Sequence, residues 1–472
     1  MKFSKNNIFL FAGMGLLSFA CSVGPKYSRP NTETPQQFRN AAGQLASDTV
    51  LLPWRTFYKD PQLVSLIEKA LAKNSEVSVA LLNMQQLELS YKQAKLGLLP
   101  TLDLSVGATR TYFSENSLNG SLSKQFAGSD YLDDYSATLR LSWEADIWGK
   151  VKKQKAVAQA SYFAQKENLS VLKTRIVVQV AQAYYGLMAL DEQLKVAKQN
   201  IELSNKTLEM VRLQFAASQV TSLAVQQAEA QKKTAELLVP LALQNIAIQE
   251  NALSILCGGY PDSITRAGSL SDAATQTPAL ASGVPATLLS RRPDVKAAEL
   301  AVMIANTRTG LAKAAMYPTL SLTPSIGLNS YKLNTWFDIP GSIIKTVGAN
   351  LTKPLFQHRN LKTSYEVAKL EQEKSAVQFK QTMMTAVGEV SNALAQVKYS
   401  DERLALVAQK SQSLDKAATD ALLLYKGGMA TYLEVIVAQN NALQNELEAV
   451  NIKRDKLIAI TELYRALGGG VE

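Results

Sequence analysis

The chain of 472 residues holds one histidine, His358, and two cysteines, Cys21 and Cys257. These three side chains bound the chemistry open to it. A lone histidine excludes a histidine-based metal cluster and the HExxH pair of a zinc hydrolase. There is no GxxxxGK[ST] loop to cradle and split a nucleotide. The ten methionines are scattered, without the clustering of a metal relay. No nucleophile, base and orienting acid come together in any motif, so the chain reads as a non-enzyme with no cofactor and no metal. His358 follows Phe356-Gln357 and is expected at a strand–helix bend. Cys257 precedes Gly258-Gly259 and is expected to be a small apolar packing residue at a helix end.

Cys21 has a different chemistry. Lys2 and Lys5 precede an apolar run, Ile8 to Ala20, which is too short to span a bilayer and suits a signal-peptide core. The run ends at Ala20-Cys21, a small residue before a cysteine, where lipoprotein signal peptidases cut and leave an acylated cysteine. Residues 1–20 are therefore expected to be a signal peptide and Cys21 the lipid anchor, although Ser18 and Phe19 stand where Leu and a small residue are usual. A secreted protein cleaved nearby is the alternative. With Cys21 acylated, no internal disulfide is possible.

The net charge is +10, spread thinly rather than gathered in a stripe with aromatics, so nucleic acid is not an expected partner. The one basic cluster is Lys150, Lys152, Lys153 and Lys155. With Trp143 and Trp148 it suits a membrane headgroup interface, and it reads equally as a solvated helix face.

The elements that position these residues follow from periodicity. Leu169, Leu172, Ile176, Val180, Ala183, Leu187, Leu190, Leu194, Ala197 and Ile201 are spaced three and four apart, and the pattern resumes at Leu208, Val211 and Phe215. Only Ser204 breaks it. A 3.5-residue period over such a length predicts a left-handed coiled-coil strut. At 1.5 Å per residue it would be about 100 Å long. A turn at 216–221 leads to a returning helix, in which Pro240 predicts a kink. Upstream, Leu63 to Leu99 predicts one helix ended by Pro100. Residues 101–113 and 135–147 alternate apolar and polar, as strands with one greasy and one wet face do, and a polar loop, 114–134, joins them. Residues 21–62 read as an extended arm.

The programme then repeats. Pro100-Thr101-Leu102 recurs as Pro318-Thr319-Leu320, 218 residues later, and Asp191-Glu192, Phe215, Thr221 and Gly258-Gly259 recur 210 residues later as Asp401-Glu402, Tyr425, Thr431 and Gly468-Gly469. This is an internal duplication. The first repeat is 63–259, with its hairpin at 149–257. A linker, 260–289, leads to a second repeat, 290–470, with strands 319–330 and 342–355 and a hairpin at 359–468. The fold class expected is mainly α with a transmembrane β-barrel. Four strands cannot close a barrel, and unpaired backbone groups in hydrocarbon each cost several kcal/mol. The chain must therefore oligomerise. Two copies would give eight strands and a filled lumen; three would give twelve and an open one.

Several motifs carry a resemblance. Cys21-Ser22-Val23-Gly24-Pro25-Lys26-Tyr27, Trp54-Arg55-Thr56-Phe57, Asp60-Pro61-Gln62-Leu63, Trp143-Glu144 with Asp146-Ile147-Trp148-Gly149-Lys150, Arg291-Arg292-Pro293-Asp294-Val295 and Tyr317-Pro318-Thr319-Leu320 span almost the whole chain. It resembles the TolC-like outer-membrane efflux proteins, in particular the OprM/NodT lipoprotein branch. The resemblance implies a homotrimer with a twelve-stranded barrel and a periplasmic α-barrel. It implies the exit duct of a tripartite pump, passing small toxic compounds from a periplasmic adaptor and an inner-membrane transporter of the resistance–nodulation–division class across the outer membrane. The adaptor would meet the hairpin tips, here Ala216, Ala217, Ser218, Gln219, Val220 and Thr221, and Gly427, Gly428, Met429, Ala430 and Thr431. A ring of carboxylates at the periplasmic aperture would include Glu434, although Val437 stands where many relatives are acidic. A solvated acid near a helix start is the other reading of Glu434. A type I secretion channel for polypeptides is the alternative function.

Overall fold

The computed structural model describes residues 23–31, 35, 38–39, 53–114, 116–276 and 291–470. The signal segment, Ala20, Cys21 and much of the expected arm and linker lie outside the described residues. The elements are α1 (Trp54–Phe57), α2 (Pro61–Lys73), α3 (Ser75–Leu96), β1 (Thr101–Tyr112), α4 (Leu118–Leu122), β2 (Tyr131–Ala145), α5 (Lys150–Ala216), α6 (Ser222–Leu256), α7 (Leu270–Gln276), α8 (Pro293–Ala314), β3 (Thr319–Leu322), β4 (Ser325–Ser330), β5 (Ile343–Thr346), β6 (Ala349–Thr352), α9 (Asn360–Lys426) and α10 (Tyr432–Ala466).

The duplication is visible in element lengths. The struts α5 and α9 have 67 residues each, and the return helices α6 and α10 have 35 each. Both pairs are offset by 210 (360 − 150 and 432 − 222). The helices α3 and α8 have 22 residues each, offset by 218 (293 − 75). Along α5 the expected seam is largely buried, and Ser204, the residue that breaks its pattern, is only 4% exposed. The seam is continuous in space, with a hydroxyl packed into it. α6 runs through Pro240 as one helix.

The chain packs as two compact units that cut across the repeats. One gathers the described residues before Pro30 with Gln85–Phe163 and Leu300–Val377; the other gathers those of Pro30–Met84, Ala164–Glu299 and Gln378–Glu472.

In the second unit, Trp54, Phe57, Leu63 and Ile67 pack with Ile176, Val180, Tyr184, Leu187, Leu253 and Tyr464. The Phe57 and Tyr464 rings stack at 4.0 Å. The Asp60-Pro61 motif starts α2: Asp60 Oδ1 accepts from the Gln62 N–H at 2.8 Å, and Pro61 fills the first helical position, where its missing N–H costs nothing. The single helix expected over 63–99 is corrected to two. Asn74 breaks it, because its Oδ1 accepts from the N–H groups of Glu76 and Val77 and so caps α3.

In the first unit, the four strand segments form an antiparallel meander in chain order. β1 pairs with β2 in perfect alternation: Leu102 faces Leu141, Leu104 faces Leu139 and Val106 faces Ala137, while Asp103 faces Arg140 and Ser105 faces Thr138. One greasy and one wet face result. Three strand bounds are corrected. The second strand starts at Tyr131, not Tyr135, because Arg110 grips Asp133 through two hydrogen bonds of 2.7 and 2.9 Å, a polar pairing that hydrophobic periodicity does not reveal. The third divides into β3 and β4 at Thr323-Pro324, because proline has no N–H for the ladder; its carbonyl still accepts from the Leu141 N–H at 2.9 Å. The fourth divides into β5 and β6 at Val347-Gly348 and ends at Thr352.

Candidate functional sites: the sheet edges, the strand–helix joint and the hairpin tips

The sheet has two open edges. Among the described residues β1 bonds only to β2, while β5 bonds only to β4 and β6 only to β3. All twelve residues of β1 are exposed, Leu102, Leu104 and Val106 among them. A long exposed edge of this kind is a template on which another strand can pair. No described helix is long and apolar enough to cross a membrane.

Where β2 meets α5, the expected interface tryptophans build a joint. The Trp143 indole N–H donates to the Leu98 carbonyl at 3.0 Å. The Trp148 indole donates to the Pro318 carbonyl at 2.7 Å, with its ring 4.8 Å from that of Tyr317. Asp146 caps α5 by accepting from the Val151 and Lys152 N–H groups at 2.9 and 3.0 Å. Lys150, part of the expected basic cluster, is instead paired with Glu144, its Nζ 2.9 Å from Oε1. His358 lies at the corresponding bend before α9, with positive φ and its ring 5.2 Å from Phe356.

The two tips, 216–221 and 426–431, turn by the same hydrogen bonds. The Gln219 N–H donates to the Gln214 carbonyl and the Met429 N–H to the Leu424 carbonyl, both at 2.9 Å. Each turn needs one left-handed residue: Ser218 with φ 58° and Gly428 with φ 72°. Behind them Leu208, Val211, Ala228, Tyr425, Tyr432 and Val435 form a small core. Burial, with a smaller contribution from Tyr425, pushes the Tyr432 hydroxyl up to about 12. Both tyrosines are neutral packing groups at physiological pH.

Glu434 is the third residue of α10. Its carboxylate accepts from both the backbone N–H and the hydroxyl of Thr431, closing a capping box. The signature Thr431-x-x-Glu434 is the sequence mark of this box. Its counterpart at the first tip is Thr221-x-x-Ala224, which has no carboxylate. The exposed apolar residues around the second tip are Leu423, Leu424, Met429, Leu433 and Val437.

Farther from the tips, each return helix ends on a polar pin that periodicity does not single out. The Asn74 amide donates to the Leu256 carbonyl, and Arg292 Nη1 donates to the Ala466 carbonyl, both at 2.9 Å. Arg292 is buried and also holds Asp294 through two bonds, at 3.0 and 2.7 Å, and Glu389 at 2.6 Å. Burial alone would raise the Asp294 carboxyl; the guanidinium more than reverses this and holds it below the usual carboxylate range. Cys257, beside the first pin, has its thiol pushed up to about 11 by burial, as an inert packing residue should.

Three helices carry heptad-spaced apolar residues that are exposed: Leu82, Leu89 and Leu96 on α3, Leu241, Ile248 and Ile255 on α6, and Leu370, Val377 and Met384 on α9.

An edge-open sheet with one greasy face, in a chain that also carries duplicated coiled-coil hairpins, is the mark of a class of membrane channel. The outer membrane efflux protein family model matches residues 66–259 and 284–469, and the chain belongs to that family. The family model thus matches the chain twice, the second time from residue 284. The chain is 27% identical to the cation efflux system protein CusC of Escherichia coli O6:H1, over 95% of this chain and 96% of that one. It is 26% identical to the probable outer membrane lipoprotein SilC of Salmonella typhimurium, over 99% and 98%. The crystal structure of the open state of the Neisseria gonorrhoeae MtrE outer membrane channel superposes with a TM-score of 0.84 at 27% identity, covering 96% of this chain and 99% of that one. The protein is an outer-membrane channel, the exit duct of a tripartite efflux pump.

Proposed function

We propose that three copies close a twelve-stranded barrel and pass small toxic compounds outward without energy input of their own. The observation that carries this reading is the pair of open sheet edges, which in hydrocarbon require strands from neighbouring copies. The heptad stripes on α3, α6 and α9 suit coiled-coil contact between the same copies. The lumen of twelve strands is wide enough to stay open.

In this reading Cys21 carries the lipid anchor, and Trp143 and Trp148 mark the membrane border. The tips 216–221 and 427–431 receive a periplasmic adaptor, which links the duct to an inner-membrane transporter of the resistance–nodulation–division class. Glu434 belongs to the periplasmic aperture, where it also holds the N-terminus of α10. Neither metal nor cofactor is required. CusC is named for cation efflux and MtrE is a channel; neither name fixes the cargo here, and small organic compounds are the class we propose.

Two measurements test this. Native mass spectrometry of the purified protein should give three chains per particle, and a dimer would overturn the twelve-stranded barrel. Deletion of the gene, with redundant ducts removed, should sensitise cells to part of a panel of toxic compounds. Unchanged susceptibility with loss of a secreted polypeptide would replace efflux by type I secretion.

A further inference from the structure

The described N-terminal residues are tied to the strand–helix joint. The Val23 N–H donates to the Trp148 carbonyl at 3.4 Å, and the Pro25 carbonyl accepts from the Asn306 amide at 3.4 Å. Between these points Gly24 passes Gly310 at a distance that a side chain on Gly24 would not allow. A Cβ on Gly24 would lie 2.7 Å from the Gly310 Cα, and one on Gly310 would lie 2.8 Å from the Lys153 side chain. Gly24 also has φ 133°, a conformation L side chains rarely adopt. At Gly24 the arm is therefore closely fitted against α8. Cys21 is two residues before Val23, so its Cα is held within about 7 Å of the Val23 Cα.

A dimple opens on the greasy face of the sheet nearby, lined by Pro100, Leu141, Trp143, Leu322, Pro324 and Val347. Two of its lining residues, Pro324 and Val347, sit at the strand breaks. The one polar group of the Trp143 ring is already satisfied by Leu98, so the ring offers the dimple only apolar surface. Trp143 is five residues from Trp148, no more than about 17 Å even in extended chain. A hollow in a lipid-facing wall must be filled by hydrocarbon, because an empty one forfeits dispersion contact on every lining atom.

We propose that this dimple is the seat of an acyl chain carried by Cys21, so that the protein's own lipid packs against its barrel wall. The proposal rests on the lipoprotein reading of Cys21. The clamped arm favours this occupant, because it delivers the acylated residue to the same end of the sheet and prevents it from diffusing away.

The test uses cells grown on a fatty acid bearing a photoactivatable diazirine and an alkyne tag. The protein is purified, the tag on its N-terminal peptide is measured, and the sample is moved into nanodiscs of unlabelled phospholipid and irradiated. Crosslinks should concentrate on the peptides carrying Leu141–Trp143, Leu322–Pro324 and Val347. In Gly24→Leu, whose side chain would collide with the Gly310 backbone, that concentration should be lost while the N-terminal tag remains. Crosslinks in the unaltered protein spread over the whole greasy face, Leu104 and Val106 included, would overturn the proposal in favour of bulk-lipid contact. Crosslinks only to phospholipid would do the same. Absence of tag on the N-terminal peptide would instead overturn the lipoprotein reading itself, and the proposal with it.

Discussion

The two repeats set the same backbone at corresponding points and hold it with different chemistry. Where the first repeat pins the end of its return helix with a neutral amide, Asn74, the second uses a buried guanidinium, Arg292. Where the first tip forces a serine into the left-handed region, the second has Gly428. At the joints the preference reverses: Gly149 has φ 71° before α5, and Arg359 has φ 62° before α9. The first tip has no carboxylate in its cap; the second has Glu434. Backbone geometry therefore sets where a left-handed residue, a cap or a pin must sit, and several side chains meet each requirement at different cost.

The largest difference should appear at the pins. Arg292→Ala takes away the partner of Asp294 and leaves Glu389 to Arg465 alone; both carboxylates are partly exposed, so the loss falls at the low end of the about 3–5 kcal/mol of a broken buried ion pair. Asn74→Ala removes a cap and one hydrogen bond, about 1–2 kcal/mol. A fall in melting temperature in detergent, clearly larger for Arg292→Ala, checks this; equal falls would make the two pins equivalent. The acid limb sharpens the contrast. Asp294 has its folded pKa lowered, so its contribution is present above the unfolded value, near 4, and is lost as pH falls through the lower folded value. The Asp294 contribution in the unaltered protein should therefore fade only below about pH 4, and Arg292→Ala should lack that loss on the acid limb.

The turn residues come next. Gly428→Ala should destabilise the second tip by about 1–2 kcal/mol, and Ser218→Gly should stabilise the first by somewhat less, about 1 kcal/mol. Hydrogen-exchange protection of the tip amides reads both, and a gain at Gly428→Ala would break the comparison. The smallest effect is expected from Glu434→Gln. The amide can still accept from Thr431, so the cap loses only its charge, about 0.5 kcal/mol. If single-channel current in planar bilayers also changes, the carboxylate acts on permeating ions as well as on the helix. Identical currents would confine it to the cap.

Much of this was legible in the sequence because it is periodic. The 3.5-residue seam, the 210-residue register and the alternation of residues 101–113 all repeat, and repetition survives local exceptions. What failed to show was not periodic. Asn74 sits within a helical pattern and ends it with two hydrogen bonds of its own side chain. Asp133 extends β2 through a charge pair, in a stretch polar enough to pass for loop. The resemblance motifs also gain a physical meaning. Asp60-Pro61, Asp146 to Lys150 and Arg292 to Asp294 each start or terminate a helix, and Trp148 with Tyr317 locks a joint. Such positions admit few residue types, whereas the seam accepts any apolar residue and even Ser204.

The interrupted strands have a mechanical consequence. β3 with β6 and β4 with β5 are separate patches of ladder, and among the described strands β2 alone is bonded to both. Its 15 residues make it a spine, and the paired breaks at Thr323-Pro324 and Val347-Gly348 make a crease across the half of the sheet beside it. A hydrogen bond from the Thr323 N–H to the Gly348 carbonyl at 2.8 Å closes the crease itself. Because β2 runs directly into Asp146, which caps α5, the spine and not the creased half of the sheet is the part joined to the first turn of that helix.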